Sequence, residues 1–473
     1  MSFPFRLSLA CGCAGLLLAL CLPARAATEI AGLKSKNEQP AAAALPHPLL
    51  ASTVVQLENG MTVVLHEDHR APVIELQLWY RIGAVDEPAG LTGISHALEH
   101  MMFRGTPNVP AGEYHARVGR LGGQNNAFTT RDYTYYFVTL PSSDLETALQ
   151  LEADRMQNLT LSETLFATEI EVVKEERRLS TENNAFRAFS EQMQGMVYAD
   201  SAMRNPVVGH MQDLQRMKVA DLRDWYGQWY APNNAILVLA GDFDPAKART
   251  LIEHHFGGIA KRALPERAAA GQATALKQQR LALKKPSASS LITFQWRLSP
   301  DMPPGDLAAL DVLAEMLAND YQERRLALAS DSLYASFDFP SRTEPSFVFS
   351  ATPADSASLS ELEAAMDNQI SLLHGAGLYR EMLERAQQRM LARNYFSYDA
   401  LSNRARELGL LALYGMTPRQ YADHLGRMQQ VTLQDLERVV KRYLGNERRV
   451  VGVLEALPLD QVQAGTSGVV HGH

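Results

Sequence analysis

The sequence predicts an α+β protein made of two similar α/β domains from an internal duplication, each a mostly antiparallel sheet with helices packed on one face. Three observations lead there. The chain has 473 residues, too many for one ordinary domain and suited to two of roughly 200. Period-two strand patterns alternate with helical patterns along it. The order of elements then repeats at an offset of a little over 210 residues. Leu291 to Leu298 mirrors Ile74 to Ile82. Arg427-Met428, Asp435-Leu436 and Tyr443 before Val450 to Val453 mirror Arg216-Met217, Asp221-Leu222 and Tyr230 before the strand at Asn234. Duplication is the economical account of such a repeat.

Residues 1–26 read as a secretory signal. Arg6 supplies the positive charge, Leu7 to Leu22 the apolar run, and Ala24-Arg25-Ala26 the small-residue cleavage site. The run is short for a membrane anchor, and Arg-rich transit peptides look different. The three cysteines, Cys11, Cys13 and Cys21, all lie in it. The mature chain therefore has no disulfide and no thiolate ligand, and any metal must use His, Asp and Glu. Without Arg6 and Arg25, 43 basic residues face 53 acidic ones, a charge of −10. That disfavours nucleic acid as a partner. No other apolar run is long enough to span a bilayer, so no transmembrane anchor is expected after signal removal. The expected destination is across the inner membrane, in the periplasm.

Residues 27–50, rich in Ala and Pro, read as a flexible lead-in. The first domain spans 51–256. It opens with a hairpin, Val54 to Glu58 and Met61 to Leu65 around Asn59-Gly60. Ile74, Leu76, Leu78, Tyr80 and Ile82 alternate with polar positions, which predicts a strand with one buried face. A helix follows around His96, capped by Thr92, with Gly90 and Gly93 allowing a tight turn into it. Next come a helical segment near Tyr114 to Leu121, a Gly122-Gly123 turn and an extended stretch from Asn126 to Leu140. Helical patterns occupy roughly 143–157 and 162–181, and Asn234 to Gly241 is a buried strand. Composition shifts at 257–276, the expected linker. The second domain spans 277–460 and a flexible tail 461–473. Its helix near Gly305 to Leu317 holds Asp306, Asp311 and Glu315 but no histidine, so the second copy has no equivalent metal site. His254, His255, His471 and His473 read as surface residues.

The chemistry concentrates in His96-Ala97-Leu98-Glu99-His100. On a helix at about 100° per residue the two histidines lie about 40° apart, with Glu99 beside them. Ile94, Ala97, Leu98, Met101 and Met102 then gather on the opposite, buried side. Two imidazoles at this spacing can share a tetrahedral zinc, and a carboxylate one residue before the second can reach its water. The spacing is the H-x-x-E-H of inverted zinc peptidases.

The matching stretches are His96 to Thr106, Leu121-Gly122-Gly123, Asn126 to Tyr136, Glu169 to Arg178, Asn205 to Gly209, and the strand after Pro232-Asn233-Asn234. In combination they resemble the pitrilysin/insulinase family of zinc peptidases, in its short-subunit branch. The resemblance implies an exported zinc endopeptidase acting on peptides or unfolded segments, with one Zn²⁺ per chain. His96 and His100 become ligands and Glu99 the general base. By their own pattern Glu169, Glu175 and Glu176 read as a solvated charged helix. The resemblance selects Glu176 as third ligand, with Glu175 its neighbouring rival, and Glu169 as a carboxylate orienting a ligand. It places substrate as an added strand along Asn126, Ala127, Phe128 and Thr129.

The family also carries an Arg and a Tyr seven apart in the second half. Tyr334 fits the tyrosine, a catalytic candidate, but Ala327 stands where the arginine should be. Arg324 and Arg325 are out of register, and Asn319-Asp320-Tyr321 replaces the usual Gly-rich turn. This implies a heterodimer with a related chain that lacks H-x-x-E-H but supplies the Arg and Tyr. The alternative is a non-catalytic or weakly active structural subunit of such a pair.

Overall fold

The computed structural model describes residues 47–267, 278–319, 329–373 and 380–459. The expected signal, the lead-in to residue 46, linker residues 268–276, Asp320 and Tyr321, Arg324, Arg325 and Ala327, and the tail with His471 and His473 lie outside the described residues.

The first half holds strands β1 (Thr53–Gln56), β2 (Thr62–Glu67), β3 (Val73–Tyr80), β4 (Gln124–Thr129), β5 (Thr134–Pro141) and β6 (Ala235–Gly241). The second holds β7 (Gln279–Pro286), β8 (Leu291–Arg297), β9 (Ser330–Phe337), β10 (Ser346–Pro353) and β11 (Arg449–Leu457). The sheets run β1-β2-β6-β3-β5-β4 and β7-β11-β8-β10-β9. Among the described residues only β2–β6 and β7–β11 are parallel pairs. From β2 and β7 onward the two orders match position for position, as the repeat predicts.

The helices are α1 (Ile94–Met101), α2 (Glu113–Arg120), α3 (Leu145–Asn158), α4 (Glu163–Arg177), α5 (Ala185–Val197), α6 (Met211–Arg216), α7 (Val219–Trp229) and α8 (Pro245–Phe256) in the first half. The second has α9 (Pro304–Asn319), α10 (Leu359–Leu373), α11 (Arg380–Ser397), α12 (Leu401–Leu413), α13 (Pro418–Gln430) and α14 (Leu433–Tyr443). One face of the first sheet buries Leu76, Leu78, Val138 and Leu237 against Leu98 and Met101 of α1, Leu149 of α3, Val173 of α4 and Leu222 of α7. The second sheet does the same against α9, α10 and α14.

Each half lends a helix to the other half's sheet, which adds a cover to the single helical face the sequence predicts. Ala405, Leu408, Leu411 and Leu413 of α12 bury Val64, Trp79, Ile236 and Val238 on the second face of the first sheet. Phe189, Met193 and Val197 of α5 cover Val450 and Leu454 of the second. Gly409 lets α12 lie on the Trp79 indole, and Gly452 admits Phe189 and Met193. The halves are also tied by Arg342, whose Nη2 lies 2.6 Å from Asp86 Oδ2 and whose amide donates to Asp132 at 3.1 Å.

The interlock corrects the reading of β3 as a strand with one buried face. Glu75, Gln77 and Trp79 are 1, 2 and 0 % exposed. Trp79 Nε1 donates to Gln77, Gln77 Nε2 to Glu75, and Thr139 Oγ1 to Glu75, so the polar positions are satisfied in a ladder beneath α12. The extended stretch 126–140 is instead the hairpin β4–β5. Its turn is made by Thr130, whose hydroxyl accepts the amides of Asp132 and Tyr133. Described structure begins at His47, ahead of the expected residue 51, with Leu49 buried and His47 against Tyr398. Linker residues 257–262 pack on the first domain, where Asn59 holds Ile259 and Asn233 holds Arg262. Among the described residues no helix is long and apolar enough to cross a membrane.

Candidate metal centre

The centre is built on α1. Ile94, Ala97, Leu98, Met101 and Met102 are buried in the core, which turns His96, Glu99 and His100 to the other side, as the helical spacing requires. Thr92 does not cap this helix, contrary to the sequence reading. Its hydroxyl donates to Asp213 at 2.6 Å, and Gly93 takes the cap position with φ +85°. The buried carboxylate of Glu87 does the capping, accepting the amides of Gly93 at 2.7 Å and Ser95 at 2.9 Å. Burial pushes Glu87 up to about 8 against the pull of those amides. No period or motif in the sequence pointed to Glu87.

α4 lies across α1 and brings the third donor. Glu176 Oε2 is 3.6 Å from His96 Nε2 and 3.5 Å from His100 Nε2. The three side chains form a group able to hold one ion, and no second such group occurs among the described residues. A tetrahedron with zinc bonds of ~2.0–2.1 Å has edges of about 3.3–3.4 Å; the two separations from Glu176 are close to that, and all three donor atoms lie within 4.8 Å of one another. Glu175 points elsewhere: it is exposed and pairs with Arg178 at 3.0 Å. Glu169 lies behind the histidines, its Oε2 3.5 Å from His100 Nδ1 and its Oε1 2.6 Å from Arg104 Nη2. Arg104 was not singled out from the sequence; it lies just beyond the end of α1.

The electrostatics suit a cation. Burial, with His100 adding to it, depresses His96 to about 4, so its imidazole is neutral. Burial pulls His100 down as well, but Glu169, Glu176 and Glu99 overcome it and push it up to about 9. Burial alone would raise Glu169; His100 and Arg104 outweigh it and hold its carboxyl below the ordinary range. A proton on His100 thus sits where the surrounding carboxylates call for positive charge. His96 Nδ1 and Glu169 Oε2 are buried without hydrogen-bond partners.

Glu99 faces the outer strand β4. Its Oε2 accepts from Thr129 Oγ1 at 2.5 Å. Burial raises its carboxyl and that hydroxyl lowers it, the rise prevailing. Asn126, Ala127, Phe128 and Thr129 all lie on β4, which among the described residues pairs only with β5 and leaves one edge open. Tyr334 sits on β9, the corresponding outer strand of the second sheet, and is 57 % exposed. Among the described residues no hydrogen bond or ion pair joins it to the histidine cluster. In the second half the acids of α9 have partners of their own: Asp306 lies against Arg438, Asp311 against His424 at 2.8 Å, and Glu315 against Arg389 and Arg393.

Comparison with known proteins agrees with this architecture. The family described as Insulinase (Peptidase family M16) matches residues 62–209, and the Peptidase M16 inactive domain matches 216–390. Zinc protease PqqE of Helicobacter pylori is 34% identical over 206 residues, covering 43% of this chain and 46% of that protein. The chain spans about half the length of the curated relatives it matches. The crystal structure of a protease from Helicobacter pylori has a TM-score of 0.80 at 24% identity, over 85% of this chain and 99% of that one. The periplasmic protease PqqL from Escherichia coli has a TM-score of 0.76 at 20% identity, over 91% of this chain and 52% of that one. These two likenesses show a shared fold. With a duplicated sheet, an H-x-x-E-H helix in the first copy only and both family domains matched in order, the chain belongs to the M16 peptidases, the insulinase/pitrilysin family.

Proposed function

We propose that this protein is an exported zinc-dependent endopeptidase that hydrolyses peptides or unfolded segments, holding one zinc through His96, His100 and Glu176. The observation that carries the reading is the convergence of those three donors beside Glu99 and an open strand edge. Zinc in such a site lowers the pKa of water and polarises a carbonyl. Glu99 takes the proton of the attacking water on its carboxylate and returns it to the leaving amine. Glu169, fixed by Arg104, keeps the His100 ring in orientation. The open edge at 126–129 binds substrate main chain as an added strand, which gives affinity with loose sequence preference.

The second half supplies Tyr334 without an arginine seven residues before it. We therefore infer a heterodimer with a relative that lacks H-x-x-E-H and carries the Arg and Tyr. The signal-like segment 1–26 supports a periplasmic location. A purely structural subunit is the weaker reading, because the cluster of His96, His100 and Glu176 supports a metal-binding role. Glu99→Gln tests the mechanism. Bound zinc should stay near one per chain while peptide cleavage collapses; cleavage at the wild-type rate would sink the role of Glu99.

A further inference from the structure

We propose that Thr129 is the positioning residue for Glu99, joining the substrate-binding edge to the base through a single residue. The inference rests on the reading above. β4 is the outermost strand, and its side chains alternate between two faces. Ala127 is buried in the core that contains α1. Thr129, two residues on, points the same way and gives its one hydroxyl proton to Glu99 Oε2. Phe128 lies on the opposite face, stacked on Phe137 at 6.3 Å.

The backbone of the same residue also reaches the Glu99 carboxyl. Thr130 donates its amide inward to Tyr133 O at 2.8 Å. Antiparallel alternation then turns the amides and carbonyls of Ala127 and Thr129 toward the open edge. On that side the Ala127 amide is met by the Asn126 side chain at 2.8 Å. A substrate strand added there pairs with the residue whose side chain holds the base. Two features make that residue rigid. Threonine is β-branched and stiff at χ1. The turn just beyond it is anchored, with Ala84 N on Thr130 O at 3.1 Å and Val85 N on Arg131 O at 3.0 Å.

The bland account is a strand threonine that satisfies its own hydroxyl, and three measurements separate the two. Thr129→Val keeps the shape and the β-branch and removes the hydroxyl; Thr129→Ser restores it. Both variants are assayed for kcat and KM on an unstructured peptide, for zinc per chain, and by crystallography without metal for the Glu99 conformation. Hydrogen bonds to charged groups are strong enough that Thr129→Val should lower kcat about 10- to 100-fold. KM and zinc content should stay near wild type, Glu99 should leave its observed orientation, and Thr129→Ser should recover most of kcat. Wild-type kcat in Thr129→Val, beside an inactive Glu99→Gln, overturns the positioning role and leaves the base reading intact. A rise in KM alone, or loss of zinc, overturns it too, by making Thr129 an edge or structural residue. An active Glu99→Gln instead removes the reading on which the inference rests.

Discussion

Gly409→Ala probes the helix exchange between the halves. A Cβ at 409 would stand 2.3 Å from Trp79 Cε2, 2.5 Å from Nε1 and 2.6 Å from Cζ2, where ordinary contact begins at 3.4 Å. One partner must therefore retreat by about 1 Å. Trp79 has no room to do so. It is 0 % exposed, donates to Gln77 at 3.0 Å and stacks on Tyr135 at 4.3 Å. The burden falls on α12, which must lift from β3 and β6. Alanine gains about 1 kcal/mol of helix propensity over glycine, and overpacking of this kind costs about 1–3 kcal/mol. Three overlaps on a pinned ring put the cost at the upper end, for a net loss of about 1–2 kcal/mol. Urea and thermal unfolding followed by circular dichroism should show it, as a drop of about 2–4 °C per kcal/mol for a unit of this size. Gly452→Ala should cost less, because its Cβ meets the tips of Met193 and Phe189, and methionine readjusts easily. A Gly409→Ala protein as stable as wild type, or less affected than Gly452→Ala, would refute the argument that α12 is locked on the indole.

Partnership gives a second expected outcome. The purified chain should bind zinc yet cleave peptides poorly, and a related chain carrying the Arg and Tyr should raise the rate, on the order of 10²–10³-fold for one charged donor to the oxyanion. Full activity from the chain alone would assign that role to Arg324 or Arg325. The pH dependence of stability gives a third. In metal-free protein His100 is raised to about 9, so its contribution is complete below its unfolded value of ~6.5 and is lost as pH climbs toward 9. His96 is depressed to about 4, so its contribution is present above ~6.5 and is lost as pH falls toward 4. Melting temperature in chelator should decline on both sides of neutrality, and saturating zinc, which needs both imidazoles deprotonated, should remove the decline above ~6.5 and steepen the one on the acid side; equal pH profiles with and without zinc would contradict this.

The sequence carried the site further than the fold around it. His96, Glu99 and His100 were legible because one helix holds all three, and a fixed period settles which side they share. Glu176 needed the family spacing, since its own charged helix looks like any solvated face; the crossing of α4 over α1 is a tertiary fact. Glu87, Arg104 and the Thr129 hydroxyl bond escaped for the same reason, each reaching its partner across elements. The duplication was visible because the strand patterns of β3 and β8, and the residues that lead into β6 and β11, recur in the same order at one offset. The exchange of α5 and α12 was not. Their apolar faces look like ordinary helix faces, and Glu75 and Gln77 on β3 look like solvent positions until α12 is seen above them.

Metal analysis of variants at Glu175 and Glu176 decides which carboxylate completes the centre. Wild type and Glu175→Gln are dialysed beside Glu176→Gln and measured for zinc per chain. The account predicts about one zinc in the first two and a severe loss in Glu176→Gln, where one of three protein ligands is gone. Full zinc in Glu176→Gln, with loss in Glu175→Gln, would contradict the centre described and the helix register that builds it.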